Sequence, residues 1–235
     1  MTDEFGYLHF IALGVFALLC AAIFIFRKKF ENPKTDKTVR CIATVTAVAL
    51  EAAFHVLNGI HGNHFIENIV PLELCAISLW LSVILCLTGK KKVFEVLYFF
   101  SIAAAAAILL PNIENNLGPD RLRFYHYFAV HFYILLTVIY YCVVHRYRIK
   151  LFSMLLTAVT LLPLSLVIRF IDLAFNVNYM FLIAPPDVST PLDNLQAGGW
   201  GYYFAMVLLA AALFLIAGLP WLIVQFRQKR RRASP

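Results

Sequence analysis

Charge is what this chain has least of. Asp, Glu, Lys and Arg make up 14% of its 235 residues, and 62% are hydrophobic, where a soluble domain carries roughly a quarter charged residues. Together with a mean hydropathy of +0.79, this makes lipid the solvent for most of the chain. The five cysteines, at positions 20, 41, 75, 86 and 142, show no paired spacing, which excludes a disulfide framework and a zinc-binding motif. No histidine has a second nitrogen or thiolate ligand at the helical i, i+4 spacing, so no metal is expected. The absence of a nucleotide-binding fingerprint leaves no cofactor expected. No basic cluster accompanies a soluble domain, so the surplus of seven positive charges is not a nucleic-acid footprint. It sets orientation and attracts anionic head groups at about 1 kcal/mol per residue. The first apolar run has acidic flanks at Asp3 and Glu4 and no small-residue cleavage site after it. It is expected to be a retained helix, not a signal peptide.

What the chain does have is a set of basic clusters separated by long apolar runs taken in pairs. All of its Lys and Arg except Arg121, Arg123 and Arg169 fall in four groups: Arg27 to Arg40, Lys90 to Lys92, Arg146 to Lys150, and Arg227 to Arg232. Crossing the ~30 Å hydrocarbon core takes about 20 apolar residues as a helix. Seven segments qualify, at approximately 7–26, 41–60, 69–88, 93–112, 124–144, 151–173 and 201–225. The basic clusters follow spans one, three, five and seven. By the positive-inside rule all four are cytoplasmic, which places the N-terminus outside and the C-terminus inside. The expected fold is therefore an all-α transmembrane bundle of seven helices, one domain over 1–226, with a basic cytoplasmic tail at 227–235 whose last residues are disordered. Three loops remain outside, at 61–68, 113–123 and 174–200. The third holds Pro185, Pro186, Pro191 and Gly198-Gly199, which argue against regular structure.

Ionisable side chains inside a membrane are costly, and each is a functional hypothesis. Glu51, His55 and Asn58 share one face of span two at spacings of four and three. In span three, Cys75 is expected about 9 Å deep, counted from the outer end at ~1.5 Å per residue, with Ser78 and Ser82 on its face. Glu73 lies two residues before it. Span five enters through Arg121, Arg123, Tyr125 and His126, and carries Tyr127 and His131, the latter about 10 Å deep. Span six leaves with Arg169, Asp172 and Asn176 on one face. All of these fall in the outer half, and the inner half has almost none beyond its basic rim. The pattern reads as a polar pocket opening to the outer leaflet.

Plainer readings stand beside this one. Glu51 and His55 could simply pair and lock two helices, and Arg169 with Asp172 could be an interfacial salt bridge. Cys20, Cys41, Cys86 and Cys142 read as small hydrophobes, and His9 as a snorkelling surface residue. His61 and His64, in a wet loop, are assigned nothing. Cys75 differs because it follows Pro71 near a helix N-terminus, where the helix dipole favours a thiolate. A histidine at matching depth, His131, would supply the base that covalent acyl transfer needs. Spacing alone leaves the distance between the two helices open.

Three stretches carry a family resemblance: Pro71-Leu72-Glu73-Leu74-Cys75-Ala76-Ile77-Ser78, the aromatic segment around His131, and Asn178-Tyr179-Met180-Phe181-Leu182 before a Pro-rich loop. Over nearly the whole chain, from span two onward, the sequence resembles the YwaF-type integral membrane proteins of bacteria. These are similar to a vertebrate group of membrane acyltransferases that move fatty acyl chains between phospholipids on a membrane Cys. A related branch cleaves fatty-acid esters with Thr and His. The resemblance implies a bacterial cell-membrane protein in which Cys75 is the acyl carrier and His131 the catalytic histidine. Glu73 departs from the pattern, which often has histidine there, and its negative charge works against a thiolate.

Three functions follow. A lipid acyltransferase would use Cys75 and His131, with Asn58 or Tyr127 as oxyanion donor and Arg169, Arg121 or Arg123 holding a phosphate head group. A proton- or cation-coupled transporter would use Glu51, His55 and Asp172, but the chain lacks the repeat symmetry and paired broken helices of alternating access. A non-catalytic scaffold or lipid-binding protein would use the polar cluster only for packing. The expected partner in the first case is a phospholipid or other fatty-acyl lipid.

Overall fold

Asn32 followed by Pro33 starts a helix earlier than the apolar pattern does. The Asn32 Oδ1 accepts from the backbone N–H groups of Lys34 at 3.0 Å and Thr35 at 3.4 Å, and Pro33 occupies the first helical position, where its missing N–H costs nothing. In the computed structural model, which describes residues 7–60, 70–109, 122–185 and 197–233, that helix is α3, Pro33–Ile60. It follows α1, Tyr7–Ile25, and the single turn α2, Arg27–Phe30. After it come α4, Leu74–Thr88, α5, Lys91–Leu109, and α6, Leu122–Val143. The chain ends with α7, Leu151–Phe175, a 3-10 turn at Tyr179–Phe181, and α8, Trp200–Ala233.

The described residues are helical without strands, as an apolar chain in lipid must be, and six helices are long and apolar enough to cross a membrane. The protein is thus a multi-pass membrane protein. The expected third span is the short one. Pro71 disfavours helix at the residue before it, and Glu73 is extended at φ −62° and ψ 141°. Helix α4 therefore begins at Leu74 and not at 69, and its 15 residues reach only about 22 Å. At the other end of the chain, α8 runs on as helix through Ala233, so the basic tail is largely helical.

Residues 1–147 and 148–235 form two compact units. In the first, α6 is the hub and packs on α1, α3, α4 and α5. Leu85, Phe94, Leu97, Phe99, Ile134 and Tyr141 are buried there. Helix α1 buries only His9, whose ring lies 6.1 Å from that of Phe128. His9 is therefore a packed residue and not a snorkelling one. The apolar remainder of α1, such as Phe10 and Leu18, stays exposed, the expected state for side chains solvated by lipid.

Two carboxylates tie α3 to α6. At one end the buried Asp36 accepts at Oδ1 from the Tyr140 hydroxyl (2.9 Å) and His145 Nε2 (2.9 Å). Its Oδ2 accepts from Arg40 Nε at 3.0 Å and forms the ion pair with Arg40. Fifteen residues on, Glu51 meets His126 of α6. Because Asp36 pairs with the later histidine and Glu51 with the earlier, the two helices run antiparallel, with clamps about 22 Å apart. The Asp36 cluster corrects the expectation that one half of the bundle holds almost no polar groups. Asp36 precedes the apolar run, and only the early helix start lifts it under α6.

The Asp36 end also closes α4. The last carbonyls of a helix lack intrahelical donors. Here Arg40 donates to Cys86 O, Tyr141 to Leu85 O at 2.8 Å, and Tyr147 to Gly89 O at 2.6 Å. Gly89, at φ 62°, makes the left-handed stop that a β-carbon would strain. Replacing Asp36 by Ala leaves Tyr140 and His145 without this acceptor and Arg40 without its ion-pair partner. The expected result is a loss of about 3 kcal/mol of stability, read by thermal unfolding in detergent beside the parent, and an unchanged midpoint would contradict this role.

Candidate functional site

The early end of α4 decides where Cys75 sits. With Glu73 as the extended cap and Leu74 the first helical residue, Cys75 lies in the first turn, nearer the terminus than the expected depth implied. The N–H groups of that turn have no intrahelical acceptor, and they carry the positive end of the helix dipole. Cys75 is half-buried, and Glu73 is close enough to act on it electrostatically. Ser78, its neighbour on the face, donates to Leu74 O at 2.7 Å, and Ser82 to Ser78 O at 2.8 Å. Both hydroxyls are thus bound to their own helix backbone.

Helix α6 brings the matching groups. The Tyr127 phenol is an electrostatic neighbour of Cys75, and its ring centroid lies 4.4 Å from that of His131. Tyr127 is therefore a neighbour of both the cysteine and the histidine. Its hydroxyl donates to Ala107 O at 2.7 Å, so its proton is committed to α5, which weakens the expectation of an oxyanion donor. His131 Nδ1 lies 2.6 Å from the Tyr127 carbonyl oxygen. A carbonyl can only accept, so Nδ1 carries the proton and Nε2 holds the lone pair. A buried imidazole with a fixed tautomer and a free Nε2 is the form a general base requires.

Beside this group lies the second carboxylate. Glu51 is buried, with Oε1 3.2 Å from His55 Nε2 and Oε2 2.8 Å from His126 Nε2. The Phe54 ring stacks on His126 at 3.9 Å and 11°. Glu51 and His55 share a helix, so the link between helices is made by His126. The two imidazoles address different carboxylate oxygens, so the three do not converge on one point. Among the described residues no group of three or more His, Cys, Asp or Glu could hold a metal. Asn58 shares their helix, and its Nδ2 has no partner among the described residues.

Arg169 and Asp172 belong to the second unit. Arg169 is 1% exposed and Asp172 0%. The Arg169 guanidinium donates from Nη1 to Leu182 O at 3.0 Å and from Nη2 to Gly198 O at 2.5 Å, and lies over the rings of Trp200 (4.7 Å) and Tyr203 (5.3 Å). Asp172 Oδ1 accepts from the Tyr179 N–H at 3.0 Å. These two side chains hold a chain reversal, and both terminal nitrogens of Arg169 are engaged by backbone. Within the reversal Met180 and Phe181 have φ of 54° and 53°, left-handed values that cost bulky residues about 1–3 kcal/mol each. Asn178 offsets this by accepting at Oδ1 from Ile183 and Ala184 N–H (3.2 Å each) and donating to Ala184 O at 3.0 Å. Tyr202 donates to Phe181 O at 2.9 Å.

Of the remaining expected residues, Arg121 lies outside the described residues and so does the side chain of Arg123; His61 and His64 are likewise outside them. Sequence reasoning missed His126 as a site residue. Its signal was present: it lies one residue before Tyr127 and five before His131, with which it interacts electrostatically.

The model of the TMEM164 family matches residues 4–218 of this chain. No curated protein and no solved structure gives a significant match. A match over nearly the full length shows the family, and the chain belongs to the TMEM164 family.

Arg169 bridges Leu182 and Gly198 with two separate nitrogens, which a lysine ammonium on a flexible stem does not reproduce. Arg169→Lys is expected to destabilise the protein by about 2 kcal/mol, seen as a lowered unfolding midpoint and faster proteolysis between 182 and 198.

Proposed function

We propose that this member of the TMEM164 family is a membrane lipid acyltransferase that carries a fatty acyl chain on Cys75. The observation supporting this reading most directly is the tautomer of His131. Its Nδ1–H is held by the Tyr127 carbonyl, and this leaves Nε2 as a base on the helix whose Tyr127 is an electrostatic neighbour of the Cys75 thiol.

In the proposed reaction His131 Nε2 takes the Cys75 proton and the thiolate attacks the ester carbonyl of a lipid donor. The first-turn N–H groups of α4, or Asn58 Nδ2, stabilise the oxyanion. Collapse breaks the ester C–O bond, and the leaving alkoxide takes the proton from His131. An acceptor hydroxyl then attacks the thioester carbonyl and gives its proton to a basic side chain; the new C–O bond forms, the C–S bond breaks, and the proton passes to the departing thiolate to restore the thiol. Both substrates are phospholipids or other fatty-acyl lipids that enter from the bilayer, with no nucleic acid involved.

The four basic clusters support seven crossings with the N-terminus outside and the C-terminus cytoplasmic, α4 being the short crossing. This reading puts Cys75, His131 and Glu51 in the outer half, with Arg121 and Arg123 at the mouth. The motif Asn178 to Leu182 supports the YwaF-type branch and hence a bacterial cell membrane. A scaffold role is favoured by one observation, the pairing of Glu51 with both His55 and His126, which is also what a helix lock would need.

Intact-protein mass spectrometry of the lipid-reconstituted protein separates the two. A hydroxylamine-labile fatty-acyl mass on the parent, missing from Cys75→Ala, is expected with at least a 100-fold loss of transfer; normal turnover by the variant would end this reading. For the topology, a cysteine introduced at Thr2 in a background without the native cysteines should react with a membrane-impermeant maleimide from outside the cell. Labelling only after the membrane is broken would reverse the orientation.

A further inference from the structure

Glu51 and His126 are more than a helix lock in their geometry. A carboxylate accepts and cannot donate once ionised, so His126 Nε2, 2.8 Å from Glu51 Oε2, carries the proton of that hydrogen bond. Its Nδ1 is then left with the lone pair. The ring is held in one plane by Phe54, stacked at 3.9 Å. Such a carboxylate–imidazole pair sets tautomer and orientation in the way that serves general bases on unrelated folds. The pair is two-thirds of a triad with no hydroxyl of the chain assigned to it.

Its position supplies the missing partner. His126 lies on α6, which packs on both α3 and α4; it precedes Tyr127, an electrostatic neighbour of Cys75, and interacts electrostatically with His131. Transfer through a thioester has two half-reactions, and the second needs a base for an acceptor hydroxyl while the acyl chain occupies the space beside Cys75. A side chain 13% exposed remains within reach of such a group.

Resting on the acyl-carrier reading of Cys75, we infer that His126 is the general base of the second half-reaction and that Glu51 is its positioning residue. His126 Nδ1 takes the proton of the acceptor hydroxyl as its oxygen attacks the thioester carbonyl. The C–O bond forms, the C–S bond breaks, and the thiolate leaves. The proton held by His126 then returns to the thiolate, restoring the thiol and neutral imidazole. His131 serves the first half-reaction, and His55, on the other oxygen of Glu51 at 3.2 Å, helps hold that carboxylate in place.

The test uses the full chain in phosphatidylcholine vesicles, with a p-nitrophenyl fatty-acid ester as donor and a lysophospholipid as acceptor. Release of p-nitrophenolate reads the first half-reaction, and the acyl mass on Cys75 reads the intermediate. His126→Ala should keep a full first-turnover burst while transfer to the acceptor slows by roughly 100-fold, so that acyl-enzyme accumulates. Added imidazole should restore transfer. Glu51→Gln should show the same pattern. The neutral amide no longer stabilises the imidazolium that forms on His126, and where its N–H₂ faces that ring it also forces Nε2 to accept and moves the ring proton to Nδ1.

If parent protein gives no acyl-enzyme, the acyl-carrier reading itself fails. If the parent does acylate, two results overturn only the present inference: transfer at the parent rate in His126→Ala, or a first-turnover burst lost together with transfer. Should His126→Ala fail to fold, Glu51→Gln and His126→Gln decide in its place, because each retains a hydrogen-bonding side chain at the clamp.

Discussion

A carboxylate buried among apolar helices must be met by donors or it will not stay charged, and this protein meets that demand twice between the same two helices. Asp36 and Glu51 lie fifteen residues apart on α3. Each has a partner one turn along its own helix, Arg40 or His55. Each also draws an imidazole from the α6 side, His145 or His126. Apolar packing in lipid is nearly indifferent to register, because lipid tails are as apolar as leucine. The two polar clamps are not indifferent. Sliding α3 by one residue against α6 would break both, so they set the register on which the placement of every α6 side chain depends.

That register matters because α6 is the hub of the first unit and carries Tyr127 and His131. Cys75 sits where backbone groups are unsatisfied, in the first turn of α4, while His131 is held by the Tyr127 carbonyl one turn back on its own helix. Helix α4 is the shortest of the long apolar helices. Its N-terminal turn is therefore displaced from the end it would have reached as a full span. Its other end is held by Arg40, Tyr141 and Tyr147 on three successive carbonyl regions. Shortness at one end and side-chain capping at the other are two sides of the same constraint, since a helix anchored at Gly89 can only expose its free N–H groups at Leu74 and just beyond.

The second unit solves a different problem. Its motif from Asn178 to Leu182 forces two bulky residues into left-handed backbone, a conformation kept only where neighbours over-determine it. Asn178, Asp172, Arg169 and Tyr202 do so through hydrogen bonds to backbone. The same residues that a reading of intramembrane charge offers as ligand-binding groups are here the scaffolding of a turn. Buried polarity marks a place where backbone must be satisfied as readily as a place where substrate binds.

Helical class, membrane solvent and the spacing of the basic clusters were legible in the sequence, because all three depend on composition and on periodicity along one chain. The face shared by Glu51 and His55 was legible for the same reason, as was Cys75 near a helix start, where Pro71 leaves a local mark. Local capping at Asn32-Pro33 was also written there, although apolar counting passes over it. The pairing of Glu51 with His126, the recruitment of Asp36 under Tyr140 and His145, and the tautomer of His131 were decided only by tertiary structure. Each depends on the distance and rotation between helices far apart in the chain. Periodicity tells which face a side chain occupies, but not which face of another helix meets it, and hydrogen bonds fail within a few tenths of an ångström.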